Sequence, residues 1–238
     1  MHEHDVRSSN HLLASMSEGD WQRWQPQLKL VELSTDQVLY ESGDKLQQIH
    51  FPATAIVSLL HILENGGSTE IAMTGREGMV GISAFMGSNS SPYRGVVQQA
   101  GWSYKAPALF VLKEFESSPD VMHLMLRFTQ ALITQMSQVA VCNRHHAIEQ
   151  QLCRWLLLNF DRIDSQVLHI TQERIASLLG VRREGITRAA GLLQEQGLIQ
   201  YNRGHLHLID REGLHTTACE CYDVVKQEYE KLNALRRG

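Results

Sequence analysis

Hydrophobic positions along the 238-residue chain change their period twice. Up to Pro26, Leu12, Leu13, Met16, Trp21 and Trp24 fall at steps that suit a helical lead-in. From Leu28 to about Ala106 the apolar runs become short and alternating: Leu30-Val31-Glu32-Leu33, Val38-Leu39-Tyr40, Ile49-His50-Phe51, Ala55 to Leu60, Ile71-Ala72-Met73 and Gly95-Val96-Val97. Turn residues separate them at Ser42-Gly43-Asp44, Asn65-Gly66-Gly67, Gly75-Arg76-Glu77-Gly78 and Gly87-Ser88-Asn89. Many short strands at this spacing predict an antiparallel barrel or sandwich. Beyond Pro107 the helical period returns. Pro119-Asp120 opens a long helix that runs to about Arg144, with Met125, Phe128, Leu132, Gln135, Val139 and Cys142 at alternating steps of three and four. That stripe is a short coiled-coil seam with one polar layer at Gln135. It fits equally a helix packed against its own barrel, and the two uses are compatible. His145-His146 marks a break, and Leu152, Trp155, Leu156 and Phe160 carry a second helix from Glu149 to about Asp161.

The stretch from Gln172 to Gly191, QERIASLLGVRREGITRAAG, has the spacing of a helix-turn-helix. Ala176 is small where two helices cross. Gly180 stands where the turn needs a positive φ, which is cheap only for glycine. Ile186 packs the second helix back onto the first, with Ile175, Leu179, Val181 and Ala189 completing the apolar set. The opposite face presents Arg183, Glu184, Thr187 and Arg188, beside Arg182 at the helix start. Such a face suits the DNA major groove, where Arg reads guanine and Glu accepts from cytosine. Gly185 inside this helix costs about 1 kcal/mol relative to Ala; it either allows close approach to DNA or is merely tolerated. After Leu198 the chain alternates through Ile199-Gln200-Tyr201, turns at Asn202-Arg203-Gly204 and returns through His205-Leu206-His207-Leu208-Ile209. A hairpin directly after a recognition helix is a wing, and Arg203 at its tip is placed to contact phosphate. From Arg211 to Gly238 the pattern reads as one more amphipathic helix.

Composition agrees with a globular chain: 43% hydrophobic and 20% charged residues leave room for one large or two modest domains. No apolar run reaches membrane-spanning length, and the polar, acidic start Met1-His2-Glu3-His4-Asp5 is not a signal peptide. No membrane partner is expected. Four cysteines do not make a disulfide framework, which points to a reducing cytoplasm. The net charge of −4 excludes a wholly basic nucleic-acid coat, but residues 171–211 hold 6 basic against 4 acidic side chains. A local excess is enough, because only the docking face meets phosphate.

Catalytic patterns are missing. There is no paired-carboxylate motif, no Gly-x-Ser-x-Gly elbow, no phosphate-cradling glycine loop and no His-Glu-x-x-His, so no enzyme is expected. Cys142-Asn143-Arg144-His145-His146 has the look of metal ligands, and Cys219-Glu220-Cys221 offers two more thiols. On a continuous helix, however, a Cys-x-Cys pair points its thiols apart. The cysteines therefore read as small packing residues, with no metal site. A redox role for Cys142 is the alternative, motivated by its place in the seam where two copies would meet.

The order of strands, long helix, helix-turn-helix and wing, with Ile170-Thr171-Gln172-Glu173 through Leu198-Ile199 as its most specific part, resembles the Crp/Fnr family of bacterial transcription regulators. The resemblance runs from about Leu28 to Leu214. It implies an α+β fold: an N-terminal antiparallel, jelly-roll-like β-roll in residues 1–118, a central dimerisation helix and hinge in 119–147, and a winged helix-turn-helix in 148–238. It implies a homodimer joined along the seam Met125–Cys142, double-stranded DNA with a palindromic site as partner, and RNA polymerase as a further partner if the protein activates. Family members read the half-site with an Arg-Glu pair and an Arg one turn later, which correspond to Arg183, Glu184 and Arg188. Thr187 falls where some members place a serine that tunes base choice.

The effector end departs from the pattern of the cyclic-nucleotide binders. The corresponding stretch is Gly78-Met79-Val80-Gly81-Ile82-Ser83, followed by Tyr93-Arg94-Gly95-Val96. Ile82 stands where the ribose-binding Glu belongs, and Arg94 is either a remnant of the phosphate-binding Arg or a surface residue. Gly81, Ile82, Ser83 and Arg94 thus outline a pocket for a small molecule other than cAMP, or for none, and no cofactor is expected. The iron–sulfur members' N-terminal cysteine cluster has no counterpart before Cys142. The rival reading is a ligand-binding or protein-interaction module whose winged helix contacts a protein rather than DNA.

Overall fold

A computed structural model describes residues 6–88 and 90–234. Asn89 of the predicted 87–89 turn, the acidic first five residues and the end of the predicted C-terminal helix lie outside the described residues. The chain divides into two compact units, one of residues 1–59, 72–133 and 228–238, the other of 60–71 and 134–227.

In the first unit the lead-in forms α1 (His11–Ala14) and α2 (Glu18–Trp24), followed by a 3-10 turn at Gln25–Gln27. Asn10 is fully buried; its Oδ1 accepts from the Leu12 and Leu13 amides, and its Nδ2 donates to the carbonyls of Pro52 (2.9 Å) and Gly78 (2.8 Å). One side chain thus caps a helix and ties it to the strands behind it. Trp24 is buried edge-on against Phe51 and Phe110.

The alternating region forms β1 (Lys29–Leu33), β2 (Val38–Tyr40), β3 (Gln48–Pro52), β4 (Ile56–Ile62), β5 (Ser68–Thr74), β6 (Arg94–Gln99) and β7 (Gly101–Pro107). They make a three-stranded sheet of order β1-β7-β3 and a four-stranded sheet of order β2-β6-β4-β5. β7 pairs antiparallel with both neighbours, Tyr104 lying opposite Leu30 and Phe51. The apolar pattern named every strand except β7, whose Trp102-Ser103-Tyr104-Lys105 run mixes polar and apolar residues.

Two helices follow, α3 (Ala108–Ser117) and α4 (Pro119–His145). Met125, Phe128, Leu132, Gln135 and Cys142 are all buried within the single chain, and Val139 is half-buried. This corrects the expected dimer seam, since a side chain enclosed by its own fold has no area left for a partner. Phe128 shows the tightness of the fit: a Cβ built on Gly78 would lie 2.0 Å from its ring. The large apolar residues that α4 does leave outside are Leu126, Ile133 and Val141, each about half exposed (46%, 46% and 45%).

The second unit contains α5 (Ile148–Phe160), β8 (Val167–His169), α6 (Gln172–Leu179), α7 (Arg183–Glu195), β9 (Ile199–Asn202), β10 (His205–Leu208), α8 (Arg211–Thr217) and most of α9 (Cys221–Ala234). The predicted hairpin β9–β10 gains a third strand, giving the antiparallel order β8-β10-β9. Residues 60–71, the end of β4, the loop and the start of β5, belong to this unit; Glu70 on β5 accepts a 2.9 Å hydrogen bond from Trp155 Nε1 on α5, both side chains being buried. The single helix expected from Arg211 onward is two. It breaks at Ala218, which is extended (φ −67°, ψ 164°). Thr216 and Thr217 precede the break and turn their hydroxyls back to the carbonyls of Glu212 and Gly213, a bonding mode that weakens a helix end.

Candidate nucleic-acid interface

Local chemistry sets the helix-turn-helix. Thr171 caps α6, its hydroxyl accepting from the Arg174 amide at 3.1 Å. Gly180 ends the helix at φ 67°, and an added Cβ would sit 2.7 Å from Thr69 Oγ1. Left-handed backbone and a close neighbour both require glycine there. Ile175, Ala176, Leu179, Ile186 and Ala189 are buried, the packing set expected from their spacing; Val181 is half-buried. Gly197 (φ 73°) closes α7, with the Leu198 amide donating back to the Leu193 carbonyl at 2.9 Å.

The outer face of α7 carries the expected side chains. Arg182 is its N-cap residue; Arg183, Glu184, Thr187 and Arg188 follow on the first two turns, and all five are exposed. Arg182, Arg183, Glu184 and Arg188 have no side-chain hydrogen bond or ion pair among the described residues. Three cations and one carboxylate thus stand with their hydrogen-bonding capacity unspent. Thr187 differs: its hydroxyl lies 2.7 Å from Gln172 Oε1 and 3.1 Å from the Arg183 carbonyl, so it braces α7 against the start of α6. Gln172 was not singled out from the sequence, because one Gln at a helix start carries no pattern of its own.

Gly185 turns inward. A Cβ there would meet Ile148 Cδ1 at 2.8 Å, so the missing side chain makes room for α5 rather than for a base edge.

The wing is tied to the recognition helix. Gln194 Oε1 accepts from the Tyr201 amide at 2.8 Å, and the Tyr201 hydroxyl donates to the Ile170 carbonyl at 2.6 Å. Asn202 pairs with His205, which leaves Arg203 and Gly204 as a two-residue loop, both with positive φ (47° and 83°). That is the turn whose twist matches a hairpin. An arginine in left-handed backbone costs on the order of 1 kcal/mol, and here it holds an exposed guanidinium at the wing tip.

A family model described as the Crp-like helix-turn-helix domain matches residues 150–217, which contain all of these groups. The Global nitrogen regulator of Nostoc sp. is 23% identical over 178 residues, covering 71% of this chain and 79% of its own. Among solved structures, FixK2 from Bradyrhizobium japonicum superposes with a TM-score of 0.67 at 15% identity, covering 81% of this chain and 98% of its own. A Crp/Fnr-family transcriptional regulator from Thermus thermophilus gives 0.64 at 18% identity, covering 80% and 98%. Residues 150–217 thus match a Crp-like helix-turn-helix domain, and the chain shares the fold of Crp/Fnr-family regulators.

The stretch of the β-roll expected to outline a small-molecule pocket is closely packed at Gly81. Gly81 has φ 111° and opens a 3-10 turn at Ile82–Ala84; an added Cβ would meet Ile49 Cδ1 at 2.7 Å. Ser83 is buried and Ile82 half-buried. Arg94, at the start of β6, is ion-paired with Glu41 at 3.1 Å. Among the described residues no hydrogen bond joins Arg94 to Gly81, Ile82 or Ser83. Gly81, Ile82 and Ser83 are consecutive in one turn, and the side chain of Arg94 is engaged by Glu41.

Proposed function

We propose that this protein is a homodimeric, sequence-specific DNA-binding transcription regulator of the Crp/Fnr type. The observation that carries the reading is the exposed, unpaired set Arg183, Glu184 and Arg188 on the first two turns of α7. An α-helix fits the major groove, and these three side chains carry the donors and acceptor that distinguish guanine and cytosine there. Arg203 at the wing tip and Arg182 at the helix start add phosphate contacts, which fix register without reading sequence. Two copies joined along the Leu126, Ile133 and Val141 face of α4 would set two recognition helices about 34 Å apart, the spacing of a palindromic site. The β-roll takes a small molecule other than cAMP, or none: Ile82 has no carboxylate for a ribose hydroxyl, and Glu41 already neutralises Arg94. Contact with RNA polymerase follows if the protein activates.

The test is selection of binding sites from random duplexes, then titration of the chosen site. An inverted repeat is expected. Arg183→Ala or Arg188→Ala should each lose about 1–3 kcal/mol, roughly 5- to 150-fold in affinity, and relax preference at one position per half-site. Arg203→Ala should weaken all sequences alike and shallow the salt dependence. Binding that shows no sequence preference at physiological salt overturns the reading. Calorimetry with cAMP tests the effector end, where a saturable heat would refute it.

A further inference from the structure

The break between α8 and α9 brings together four side chains that the continuous-helix reading kept apart. Cys142 and His146 lie on and just after the last turn of α4, four residues apart and so on one face. Cys219 sits in the break and Cys221 opens α9. Their three sulfurs and the His146 ring nitrogen all fall within 4.8 Å of one another. Cys142 Sγ is 3.5 Å from Cys219 Sγ, and Cys221 Sγ is 3.6 Å from His146 Nδ1. The cysteines are buried and unoxidised. Cys142, placed in the seam by its spacing, thus faces its own chain's thiols rather than a second copy.

The geometry points to a metal site: Cys142, Cys219, Cys221 and His146 form a closed Cys3His cage for a zinc-class ion, pinning the end of α4 to the α8–α9 junction. Bond lengths of about 2.3 Å to sulfur and 2.0–2.1 Å to nitrogen put tetrahedral ligand atoms about 3.8 Å apart for two sulfurs and about 3.6 Å for sulfur and nitrogen. The Cys142–Cys219 and Cys221–His146 separations already stand at those values, within a few tenths of an ångström. Four protein ligands leave no open position, the pattern of a structural rather than a catalytic ion.

Two neighbours outside the cage independently suit it. The second ring nitrogen of His146, Nε2, lies 3.3 Å from Glu220 Oε1. A carboxylate on the far nitrogen is the partner that metal-bound histidines keep, because it sets the tautomer and orients the ring. Arg154 on α5 is 2% exposed, and its Nε has no hydrogen-bond partner among the described residues. A buried cation needs an anion nearby. Three thiolates around a divalent ion carry one net negative charge, which Arg154, whose charge reaches Cys142 and Cys221, balances. Binding releases the thiol protons to solvent, with no change of oxidation state.

The full-length protein, purified under reducing conditions, decides it. Its zinc content should be one ion per chain. Replacement by Co2+ should give the thiolate-to-cobalt charge-transfer band and the intense visible bands of a tetrahedral, sulfur-rich site. Cys219→Ser and His146→Gln should each lower zinc affinity at least 100-fold. Glu220→Gln should lower it about 10-fold, the small end of the range for an outer partner because Glu220 is exposed. Cys153→Ala, which alters the buried cysteine outside the cage, should keep full stoichiometry. Should a cage variant fail to fold, the wild-type cobalt spectrum still answers. Less than 0.1 equivalent of zinc or cobalt bound by reduced wild-type protein (~0.1, set by ordinary contamination beside the nanomolar-or-tighter binding of structural zinc) overturns the site. So does binding that survives Cys219→Ser combined with His146→Gln, or a Cys142–Cys219 disulfide that forms unhindered in the presence of zinc.

Discussion

Replacing Gly185 by alanine separates two explanations of a glycine inside the recognition helix. If glycine is there for α5, the substitution sets two terms against each other. Alanine is the better helix former by about 1 kcal/mol. Its Cβ, however, would stand 2.8 Å from Ile148 Cδ1, the far end of a flexible side chain. Moving that methyl off its preferred rotamer costs about 0.5–1.5 kcal/mol, so Gly185→Ala alone should leave stability within about 0.5 kcal/mol of the parent. Ile148→Val removes the colliding atom and leaves Cγ2 at an ordinary 4.0 Å. In that background the same substitution should stabilise by about 1 kcal/mol, a coupling of similar size between two residues in contact. Urea unfolding of the four proteins measures the cycle, and a DNA titration accompanies it. Affinity for the specific site should stay within about twofold throughout, because Gly185 faces away from the groove. The reasoning is refuted if alanine gives no gain in the valine background, or if Gly185→Ala lowers DNA affinity tenfold at unchanged stability.

Three further outcomes follow from the first unit. Asn10→Ala removes a helix cap and strands two buried carbonyls, so thermal unfolding should report a loss of about 3 kcal/mol. Gly78→Ala should cost about 1–3 kcal/mol by overpacking against Phe128, with most of the loss recovered in Gly78→Ala/Phe128→Leu. His50 is buried with an unpartnered Nδ1; burial, and secondarily the charge of Lys105, pull its pKa from about 6.5 down to about 4. Its folded pKa lies below its unfolded one, so the unfolded state takes up the proton first. The stability conferred by a neutral His50 is therefore complete above about pH 6.5 and is lost as pH falls toward 4. This residue should account for about 2 kcal/mol between pH 7 and pH 5. Unfolding curves of the wild type and His50→Leu check this; equal pH slopes would refute it.

Local chemistry was legible wherever a single residue or a short period carries it. The glycine at 180, the apolar set Ile175, Ala176, Leu179 and Ile186, and the wing turn at Arg203-Gly204 each have a conformation their own chemistry demands. The outward face of Glu184 and Arg188 followed directly, because helical period puts them opposite Ile186; Arg183 is exposed as the first residue of the helix. The orientation of α4 was not legible. A three-and-four stripe says that one face is buried but not by what, and the cover proves to be the chain's own core. Gly185 was undecidable for the same reason, since only the position of Ile148 says which way a missing Cβ points.

The sequence by itself determined most of the elements, the helix-turn-helix with its wing and the likeness to the Crp/Fnr regulators, since these rest on local periods and turn chemistry. Tertiary structure decided which faces those elements cover and which residues meet. The cysteine–histidine cluster shows why. Cys142 and Cys219 are 77 positions apart, and they meet only because two threonine hydroxyls and an extended Ala218 end a helix that hydrophobic period alone would have continued.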